Sequence, residues 1–293
     1  MKSENDIKFC SLFADKISTL RAGGKLLKVC FPSSMADLFM ISDYIKENGC
    51  DYIITGKLSN ILVLDGGYDG VVINTKNLKG IDIEENLICA GSGEKLAKVV
   101  NMAAERGLSG LEKLCGIPGT VGGAVCMNSG CFGADMSMAV EKVYLFDMNK
   151  QERVVKDKKQ MGFAYRKSAA AKGNYAVIGA RLELEEKNLY DIKNTMRSVI
   201  AVRRENQPSL PSLGSVYKRV GNTAAAIFIE GAGLKGYRVN DMEVSAVHAN
   251  FIVNKGNGKA DDYLTIMEHI EEKVYARYGI KLEREVFVVG KRA

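Results

Sequence analysis

The stretch from Gly107 to Gly133 has the composition of a backbone that could bind phosphate. It holds eight glycines in 27 residues, where the chain average of 30 in 293 corresponds to about three. Most of its other residues are apolar, which is not typical of a flexible linker. Glycine tolerates positive φ and has no Cβ to keep a ligand away, so main-chain N–H groups here could bind a phosphate-bearing cofactor. A tightly packed structural crossing accounts for the same composition equally well.

Several polar side chains elsewhere could take part in chemistry, and each has an ordinary alternative. Arg166 lies in a polar break between predicted strands, and Ser215 follows a glycine just past a proline-rich segment. In such places an arginine is usually solvated and a serine usually caps or turns the chain. Glu283 and Glu285, two apart on a predicted strand, share one face, as in a solvated charged edge. His248 has apolar neighbours, which favours a hydrogen-bonded core histidine over a catalyst.

Two short motifs resemble nucleotide-binding fingerprints and fail the full pattern. Gly91-Ser92-Gly93 follows an apolar strand and opens a predicted helix, 92–106, but Leu96 stands where a dinucleotide fingerprint needs its third glycine. Gly56-Lys57-Leu58-Ser59 lacks the glycine frame and the Lys-Ser/Thr pair of a phosphate-binding P-loop.

The composition excludes several protein classes. A chain of 293 residues that is 46% hydrophobic can bury the cores of two or three domains. No run of 18 apolar residues predicts a membrane span, and the first eight residues lack the apolar part of a secretory signal. Seven cysteines without close pairing favour a reducing cytoplasm, and with two histidines no metal site is expected. The net charge of +6 is spread along the chain, which favours an anionic small molecule over nucleic acid.

Hydrophobic periodicity predicts a mixed α+β chain. Apolar residues at helical spacing between Met35 and Ile45 predict a helix that Gly49 ends. Residues 207–211 hold two of the four prolines and indicate a domain boundary. The other predicted elements are strands at 52–54, 61–64, 143–146, 177–185 and 285–289 and helices at 188–204 and 261–278.

Taken together and in order, separated blocks of the sequence resemble one family over nearly the whole chain, the UDP-N-acetylenolpyruvoylglucosamine reductases. The stretch between Ser168 and Arg203 is too short for the extra tyrosine-bearing loop of one subtype, so the chain is similar to the shorter subtype. The blocks are Gly107–Glu112, Gly116–Ala124, Met127–Asn128, Tyr165–Ser168, Pro211–Ser215, Ala232–Gly236, His248–Asn254 and Gly279–Val286.

The resemblance implies a fold and a domain order. The fold is α+β, with an FAD-binding domain of the vanillyl-alcohol-oxidase (PCMH) type in two lobes and a C-terminal α+β substrate-binding domain. The lobes would be residues 1–75 and residues 76–203, the second with the C-terminal strand 284–293. The substrate-binding domain would be residues 204–283.

The resemblance also implies an activity, that of an FAD-containing, NADPH-dependent UDP-N-acetylmuramate dehydrogenase in peptidoglycan synthesis, and hence in cell wall formation, cell shape and cell division. NADPH would reduce FAD, and the flavin would pass hydride to C3 of UDP-N-acetylglucosamine enolpyruvate, giving UDP-N-acetylmuramate. Arg166 matches the arginine that stabilises the negative charge this creates on C2 and the carboxylate. Glu285 matches the carboxylate that assists, and Ser215 matches the general acid that protonates C2.

Binding residues and partners follow from the same resemblance. A UDP-sugar and NADPH would be the partners of a cytoplasmic monomer that binds no metal, nucleic acid or membrane. The implied FAD-binding residues are Gly56, Lys57, Leu58, Ser59, Asn60, Gly116, Ile117, Pro118, Gly119, Thr120, Gly122, Gly123 and Asn128. The implied substrate-binding residues are Tyr165, Lys218, Arg219, His248 and Asn250.

Leu58 departs from the family's Gly-x-Gly-Ser-Asn loop, where a glycine would pass close to the FAD diphosphate. If the site requires positive φ, a leucine there costs about 1–3 kcal/mol, and its side chain could crowd the cofactor. Lys57 could offset this by pairing with a phosphate. One alternative function is therefore a paralogue with impaired FAD binding and weak or no catalysis. Another is a different oxidase or dehydrogenase of the same flavin-binding superfamily, against which the family-like block 232–254 argues.

Overall fold

The computed structural model of the chain describes residues 7–293. Residues 1–6, which belong to the first predicted lobe (1–75) and to the segment tested for a secretory signal, lie outside the described residues. Within residues 7–293, no helix is long and apolar enough to cross a membrane. The α-helices of this range are α1 (Met35–Asn48), α2 (Leu96–Glu105), α3 (Val121–Cys126), α4 (Leu189–Asn206), α5 (Ala225–Gly231) and α6 (Ala260–Tyr278).

Helix α1 begins and ends where its sequence predicts. The Ser34 hydroxyl accepts a hydrogen bond from the N–H of Asp37, and the Asp37 carboxylate accepts one from the N–H of Ser34. This capping box satisfies main-chain donors that the first turn leaves open. Gly49 ends the helix in the left-handed region, at φ +59°. The helix predicted from Met35 onward is confirmed.

Helix α2 begins at Leu96, four residues later than predicted. Residues 91–94 form a turn instead, in which the N–H of Gly93 donates to the Leu78 carbonyl (2.8 Å) and that of Glu94 donates to the Gly91 carbonyl (3.1 Å). The N–H groups of Gly93 and Glu94 would have no partner within the helix if they lay in its first turn, and these bonds satisfy them. From Leu96 onward, buried side chains recur at helical spacing, at Leu96, Val99, Val100 and Ala103.

One compact unit contains, within the described range, residues 7–10, 28–57 and 70–203. Its largest sheet is antiparallel, and α2 and α3 supply the apolar side chains that share a core with it. The strands of that sheet, in spatial order, are Glu152–Asp157, Val140–Asp147, Tyr175–Glu183, Leu87–Gly91 and Ile81–Glu84. Short strand pairs join Leu108–Ser109 to Glu185–Glu186 and Gly130–Cys131 to Ala134–Asp135.

The second compact unit contains residues 11–27, 58–69 and 204–293. Helix α6 packs on its antiparallel sheet and buries Tyr263, Ile266, Met267 and Ile270 in the core of this unit. The sheet strands, in spatial order, are Ser212–Ser215, Phe251–Asn254, Met242–Val244 and Arg238–Val239. Most residues of a further sheet belong to the first unit instead. Its order is Cys10–Phe13, Lys25–Cys30, Tyr68–Asn74 and Tyr52–Thr55, and its last two strands are parallel. The α+β class is confirmed.

The C-terminal strand has a different partner from the one expected. The sequence analysis joined residues 284–293 to the lobe 76–203, whereas Phe287–Val289 pairs in parallel with Ile61–Val63 in the second unit. The strand also starts two residues later than predicted, because the N–H groups of Glu285 and Val286 donate to the Val216 carbonyl instead. A three-residue apolar strand carries no local signal for which sheet it joins, so this pairing is decided by long-range contacts.

Candidate functional site

Two glycines of the predicted cofactor loops are required by close packing inside the protein. A Cβ on Gly122 would lie 2.7 Å from the Ser92 Cβ, and a Cβ on Gly56 would lie 2.4 Å from Thr120 Oγ1. Cβ atoms in proteins essentially never come so close to other heavy atoms. The N–H of Gly122 also donates to the Ser92 carbonyl at 2.9 Å. At these two positions, tight packing between segments of the protein is sufficient to explain the glycine.

Gly123, one residue further along α3, is different. It is exposed, and among the described atoms a Cβ there would meet only Thr120 Oγ1, at 3.6 Å. The Thr120 hydroxyl caps α3 by accepting a hydrogen bond from the N–H of Gly123. Protein packing therefore does not require a glycine at this position, and an exposed backbone that a ligand can approach closely is what the cofactor interpretation predicts.

Two buried hydroxyl groups next to these loops fit a polar cofactor. Thr55 Oγ1 and Ser92 Oγ have no hydrogen-bond partner within the described part of the chain. Thr55 precedes Gly56, and Ser92 packs against Gly122. Because buried polar groups are normally satisfied, these hydroxyls are donors suited to an oxygen-rich ligand such as the phosphates and ribitol of FAD. The sequence analysis missed both, although Thr55 is the one polar residue of the strand Tyr52–Thr55.

Asn128, predicted as an FAD ligand, has its amide bonded to the protein main chain. Its Nδ2 donates to the Ala164 carbonyl at 3.1 Å, and its Oδ1 accepts from the N–H of Ser137 at 2.9 Å. The residue is buried and adopts φ +44°, a conformation that asparagine tolerates better than most residues. In the structure Asn128 therefore connects the end of α3 to the turn that carries Arg166.

Arg166 lies in a tight two-residue turn. Ala164 and Lys167 exchange two main-chain hydrogen bonds, of 3.0 and 3.1 Å, which leaves Tyr165 and Arg166 at the tip. Arg166 has φ +53°, and its Nη2 donates to the Gly130 carbonyl at 3.2 Å. Its guanidinium carbon lies 5.1 Å from the centre of the exposed Tyr165 ring. The predicted polar break is therefore an ordered turn that holds a half-buried guanidinium.

Ser215 ends its strand next to an irregularity in the sheet. The pairing of Ser212–Ser215 with Phe251–Asn254 shifts register between Ser212 and Ser215. Gly214, within this shift, has φ +77° and open space around its missing Cβ, so its conformation is the reason for a glycine. A bulge of this kind re-aims the next side chain, here the partly exposed Ser215.

Glu285 is joined by main-chain hydrogen bonds both to the Ser215 strand and to the loop at Asn60. Its N–H donates to the Val216 carbonyl at 2.7 Å. Its own carbonyl accepts from Asn60 Nδ2 at 3.0 Å, and the Asn60 carbonyl accepts from the N–H of Phe287 at 3.0 Å. The expected strand face shared by Glu283 and Glu285 is absent within the described residues, because the strand begins only at Phe287.

Leu58 adopts a positive φ, which is the condition under which the sequence analysis expected strain at this position. Its φ is +45°, and 1% of the residue is exposed, so the side chain lies inside the protein. Its carbonyl accepts a hydrogen bond from Ser18 Oγ at 3.4 Å. Burying a leucine side chain contributes about 1.5–3 kcal/mol, which offsets a strain of about 1–3 kcal/mol at this φ. Lys57, which precedes it, is exposed.

Three of the predicted substrate ligands in the second unit, Lys218, Arg219 and Asn250, are bonded to other groups of the protein. Lys218 pairs with the Glu283 carboxylate, and the Arg219 guanidinium binds the carbonyl of Asn222 in the turn that follows. The Asn250 amide accepts from the N–H of Tyr217 (3.0 Å) and donates to the Tyr217 carbonyl (2.8 Å). Asn250 is 6% exposed, so in this structure its amide fixes the chain beyond Ser215.

His248 is a hydrogen-bonded, half-buried histidine in a turn. Its Nδ1 accepts from the N–H of Asn250 at 3.2 Å, and its ring lies edge-on to Phe251. Its main-chain N–H donates to Ser245 Oγ at 3.3 Å. Burial lowers the pKa of the His248 imidazole below its usual value, and the charge of Lys235 lowers it further. Folding therefore favours the neutral ring more than exposure to solvent would.

Comparisons with known proteins match both parts of the chain. The sequence profile described as "UDP-N-acetylenolpyruvoylglucosamine reductase, C-terminal domain" matches residues 206–289, and the profile "FAD binding domain" matches residues 27–149. The UDP-N-acetylenolpyruvoylglucosamine reductase of Caldicellulosiruptor bescii is 38% identical over 94% of this chain and 88% of its own length. That of Clostridium tetani is 36% identical over 93% and 89%. The chain belongs to this family.

Solved structures agree with this membership of the reductase family. The reductase of Thermus caldophilus has a TM-score of 0.85 and 33% identity, and the match covers 97% of this chain and 100% of that one. The 6-hydroxy-D-nicotine oxidase of Arthrobacter nicotinovorans has a TM-score of 0.50 and 16% identity over 64% of this chain and 44% of its own. The second likeness concerns the fold alone, over about two thirds of this chain.

Family membership decides between the alternatives that the sequence left open. The match to the reductases' C-terminal domain is evidence against an oxidase of different substrate class. The paralogue with impaired FAD binding rested on Leu58, and the buried position of that side chain removes the expected crowding of the cofactor. The reductase interpretation is therefore favoured.

Proposed function

We propose that this protein reduces UDP-N-acetylglucosamine enolpyruvate to UDP-N-acetylmuramate, with NADPH as electron donor and FAD as bound cofactor, in peptidoglycan precursor synthesis. Membership of the reductase family and the match of residues 27–149 to an FAD-binding domain support this function. The structural observation that supports it best is the hydrogen bond from Glu285 to Val216, because it ties the candidate carboxylate to the residue after the candidate acid, Ser215.

FAD would be held by the two glycine-bearing loops. When bound, FAD accepts a hydride from NADPH and supplies one to C3 of the enolpyruvyl group. The exposed backbone at Gly123 fits the polar parts of this cofactor, and so do the hydroxyls of Thr55 and Ser92, which have no hydrogen-bond partner among residues 7–293. Lys57, exposed beside Gly56, would pair with a phosphate. Asn128 would act by holding the loop end rather than by a direct contact, since its amide binds the main chain.

Arg166 would bind the carboxylate of the enolpyruvyl group. A guanidinium presents several N–H donors in one plane, which matches a carboxylate and stabilises it further as negative charge spreads from C2. The turn between Ala164 and Lys167 fixes the main chain of Arg166, so less freedom is lost on binding.

Ser215 would protonate C2, and Glu285 would assist in stabilising the intermediate. A serine hydroxyl is a weak acid, so it can act only when it is held against a carbon that carries developing negative charge. The bulge at Gly214 and the bond from Glu285 to Val216 restrict the main chain on both sides of Ser215. Lys218, Arg219, Tyr165 and His248 would contact the UDP-sugar.

Location and assembly belong to the same proposal. Seven free cysteines support a reducing cytoplasm as the place where the protein works. A monomer is proposed as the state of assembly.

The test is anaerobic spectroscopy of the purified protein. We expect a yellow protein with nearly one FAD per chain, which NADPH bleaches and UDP-N-acetylglucosamine enolpyruvate restores with formation of UDP-N-acetylmuramate. Working without oxygen excludes flavin reoxidation by air. A flavin that NADPH reduces but this substrate does not reoxidise would contradict the proposed substrate. A protein that takes up no FAD would contradict the cofactor.

A further inference from the structure

The main chains that carry Ser215 and Glu285 form one short antiparallel unit. Tyr217 and Arg284 make an isolated bridge, the N–H of Lys218 donates to the Glu283 carbonyl at 2.8 Å, and the N–H of Glu285 donates to Val216. Ser215 lies two residues before Tyr217, and Glu285 follows Arg284 directly. Whatever fixes the Tyr217–Arg284 pair therefore fixes the main chain beside both candidate catalytic residues.

Both members of that pair are anchored on one face of α6. Arg284 binds Glu271 with two parallel bonds, Nε to Oε1 at 2.5 Å and Nη2 to Oε2 at 2.8 Å. The Tyr217 hydroxyl donates to the carbonyl of Met267 at 2.7 Å. Met267 and Glu271 are four residues apart, and so lie above one another on the helix.

The two anchors are sheltered from water to different degrees. Tyr217 is 1% exposed, and burial raises the pKa of its phenol, so the hydroxyl stays protonated and donates. The Arg284 and Glu271 side chains are 34% and 29% exposed. A bidentate guanidinium–carboxylate pair restricts orientation as well as distance, which a single bond from a lysine would not do.

We propose that Arg284, together with its partner Glu271 on α6, is a positioning residue for the proton-transfer step, because it fixes the shared main-chain unit that carries both Ser215 and Glu285. This inference rests on the proposed function, in which those two residues act on the substrate. Arg284 acts only through its neighbours. A displacement of about 1 Å at reacting groups can cost about 100-fold in rate, so a small shift of this unit is sufficient to slow the reaction.

The test compares Arg284→Lys and Glu271→Gln with a matched control, Glu268→Gln. Glu268 lies on α6, three residues before Glu271, and forms an ion pair with Arg292, which lies after the strand Phe287–Val289. Both side chains of this pair are about half exposed. In anaerobic stopped-flow experiments we expect reduction of the flavin by NADPH and the FAD content to stay unchanged in all three variants. Reoxidation of the reduced flavin by the enolpyruvyl substrate should slow about 10- to 100-fold in Arg284→Lys and less in Glu271→Gln, and should be unchanged in the control.

The double variant Arg284→Lys/Glu271→Gln should be little slower than Arg284→Lys alone, because the two residues act as one pair. Unchanged reoxidation in both single variants, or equal slowing in Glu268→Gln, would overturn the proposal. If Arg284→Lys fails to fold, Glu271→Gln against Glu268→Gln carries the test alone.

Amide hydrogen exchange separates this proposal from the proposed function. In Arg284→Lys the N–H groups of Lys218 and Glu285, which close the antiparallel unit, should exchange faster than in Glu268→Gln. If the wild-type protein does not use the enolpyruvyl substrate, the proposed function fails, while the exchange rates still report whether the anchor exists. Equal exchange in the two variants would refute the anchor whatever the substrate is.

Discussion

The main-chain N–H of Glu285 donates a 2.7 Å hydrogen bond to the carbonyl of Val216. The Val216 N–H in turn donates to the Asn250 carbonyl at 2.9 Å. Three segments that are distant in sequence thus meet at the residue after Ser215. Because Val216 makes both bonds and follows Ser215 directly, a shift of the Glu285 segment also shifts the strand end at Ser215. This coupling supports the proposal that the two side chains act in the same step of the reaction.

Removing the Ser215 hydroxyl should separate the two half-reactions. In Ser215→Ala we expect flavin reduction by NADPH to be nearly intact and reduction of the enolpyruvyl substrate to fall by several orders of magnitude, because C2 loses its proton donor. Anaerobic single-turnover kinetics measure each step. Ser209→Ala, at an exposed serine three residues before the strand Ser212–Ser215, is the control and should leave both steps unchanged. Equal loss in both half-reactions would contradict the role of Ser215 as acid.

Two neighbouring glycines of α3 should respond to alanine in opposite ways. In Gly122→Ala the new Cβ would lie 2.7 Å from the Ser92 Cβ, so we expect a loss of about 1–3 kcal/mol in the free energy of unfolding. In Gly123→Ala there is room, and the better helix propensity should leave stability unchanged or raise it by up to about 1 kcal/mol. Urea denaturation of the apo-protein measures both.

The same pair tests the cofactor loop. Gly123→Ala should weaken FAD binding without destabilising the apo-protein, because the added methyl group stands where the cofactor would approach the backbone. Titration of the apo-proteins with FAD gives the affinity. If Gly123→Ala bound FAD as tightly as the wild type, the backbone at this residue would not be the contact that we propose.

Leu58 should prove to be a structural part of its loop. In Leu58→Gly the strain of about 1–3 kcal/mol at φ +45° is relieved, but loss of a buried leucine costs about 2–5 kcal/mol, which is the larger of the two effects. We therefore expect a lower free energy of unfolding and an FAD affinity that is unchanged or weaker. Leu58→Ala, which loses the same contacts and keeps the strain, should be less stable still. Tighter FAD binding by Leu58→Gly would show instead that the leucine obstructs the cofactor.

The elements that the sequence predicted well are those with local signals. Ser34, Asp37 and Gly49 set the ends of α1 through bonds within a few residues, so its bounds could be read from the chain. The late start of α2 and the partner of Phe287–Val289 depend on contacts with Leu78 and Ile61–Val63, for which no local pattern exists.

In the candidate site, too, some features could be predicted from local sequence signals and others depend on contacts that the sequence does not show. The types of Arg166, Ser215 and Glu285 were recognisable from their blocks, and their roles remain predictions. The contacts that position them were not recognisable, because Asn250, Arg284 and Glu271 bind groups far away in sequence. From the sequence alone, a polar residue in such a block is interpreted as a substrate ligand. Only the structure shows whether its amide or guanidinium is already bonded to the protein.

The histidine at 248 should make stability depend on pH. Burial lowers its pKa in the folded state below the usual 6.5, so the unfolded chain binds a proton more readily. The free energy of unfolding should therefore be fully maintained above pH 6.5 and should decrease as the pH falls from that value towards the folded-state pKa.

His248→Gln removes this titration, so the difference in unfolding free energy between wild type and variant should shrink between about pH 8 and pH 5. His269→Gln, which removes the histidine stacked on Tyr237 and leaves His248 in place, is the control. Urea denaturation across this range is the measurement, and a difference between wild type and His248→Gln that stays constant with pH would refute the prediction.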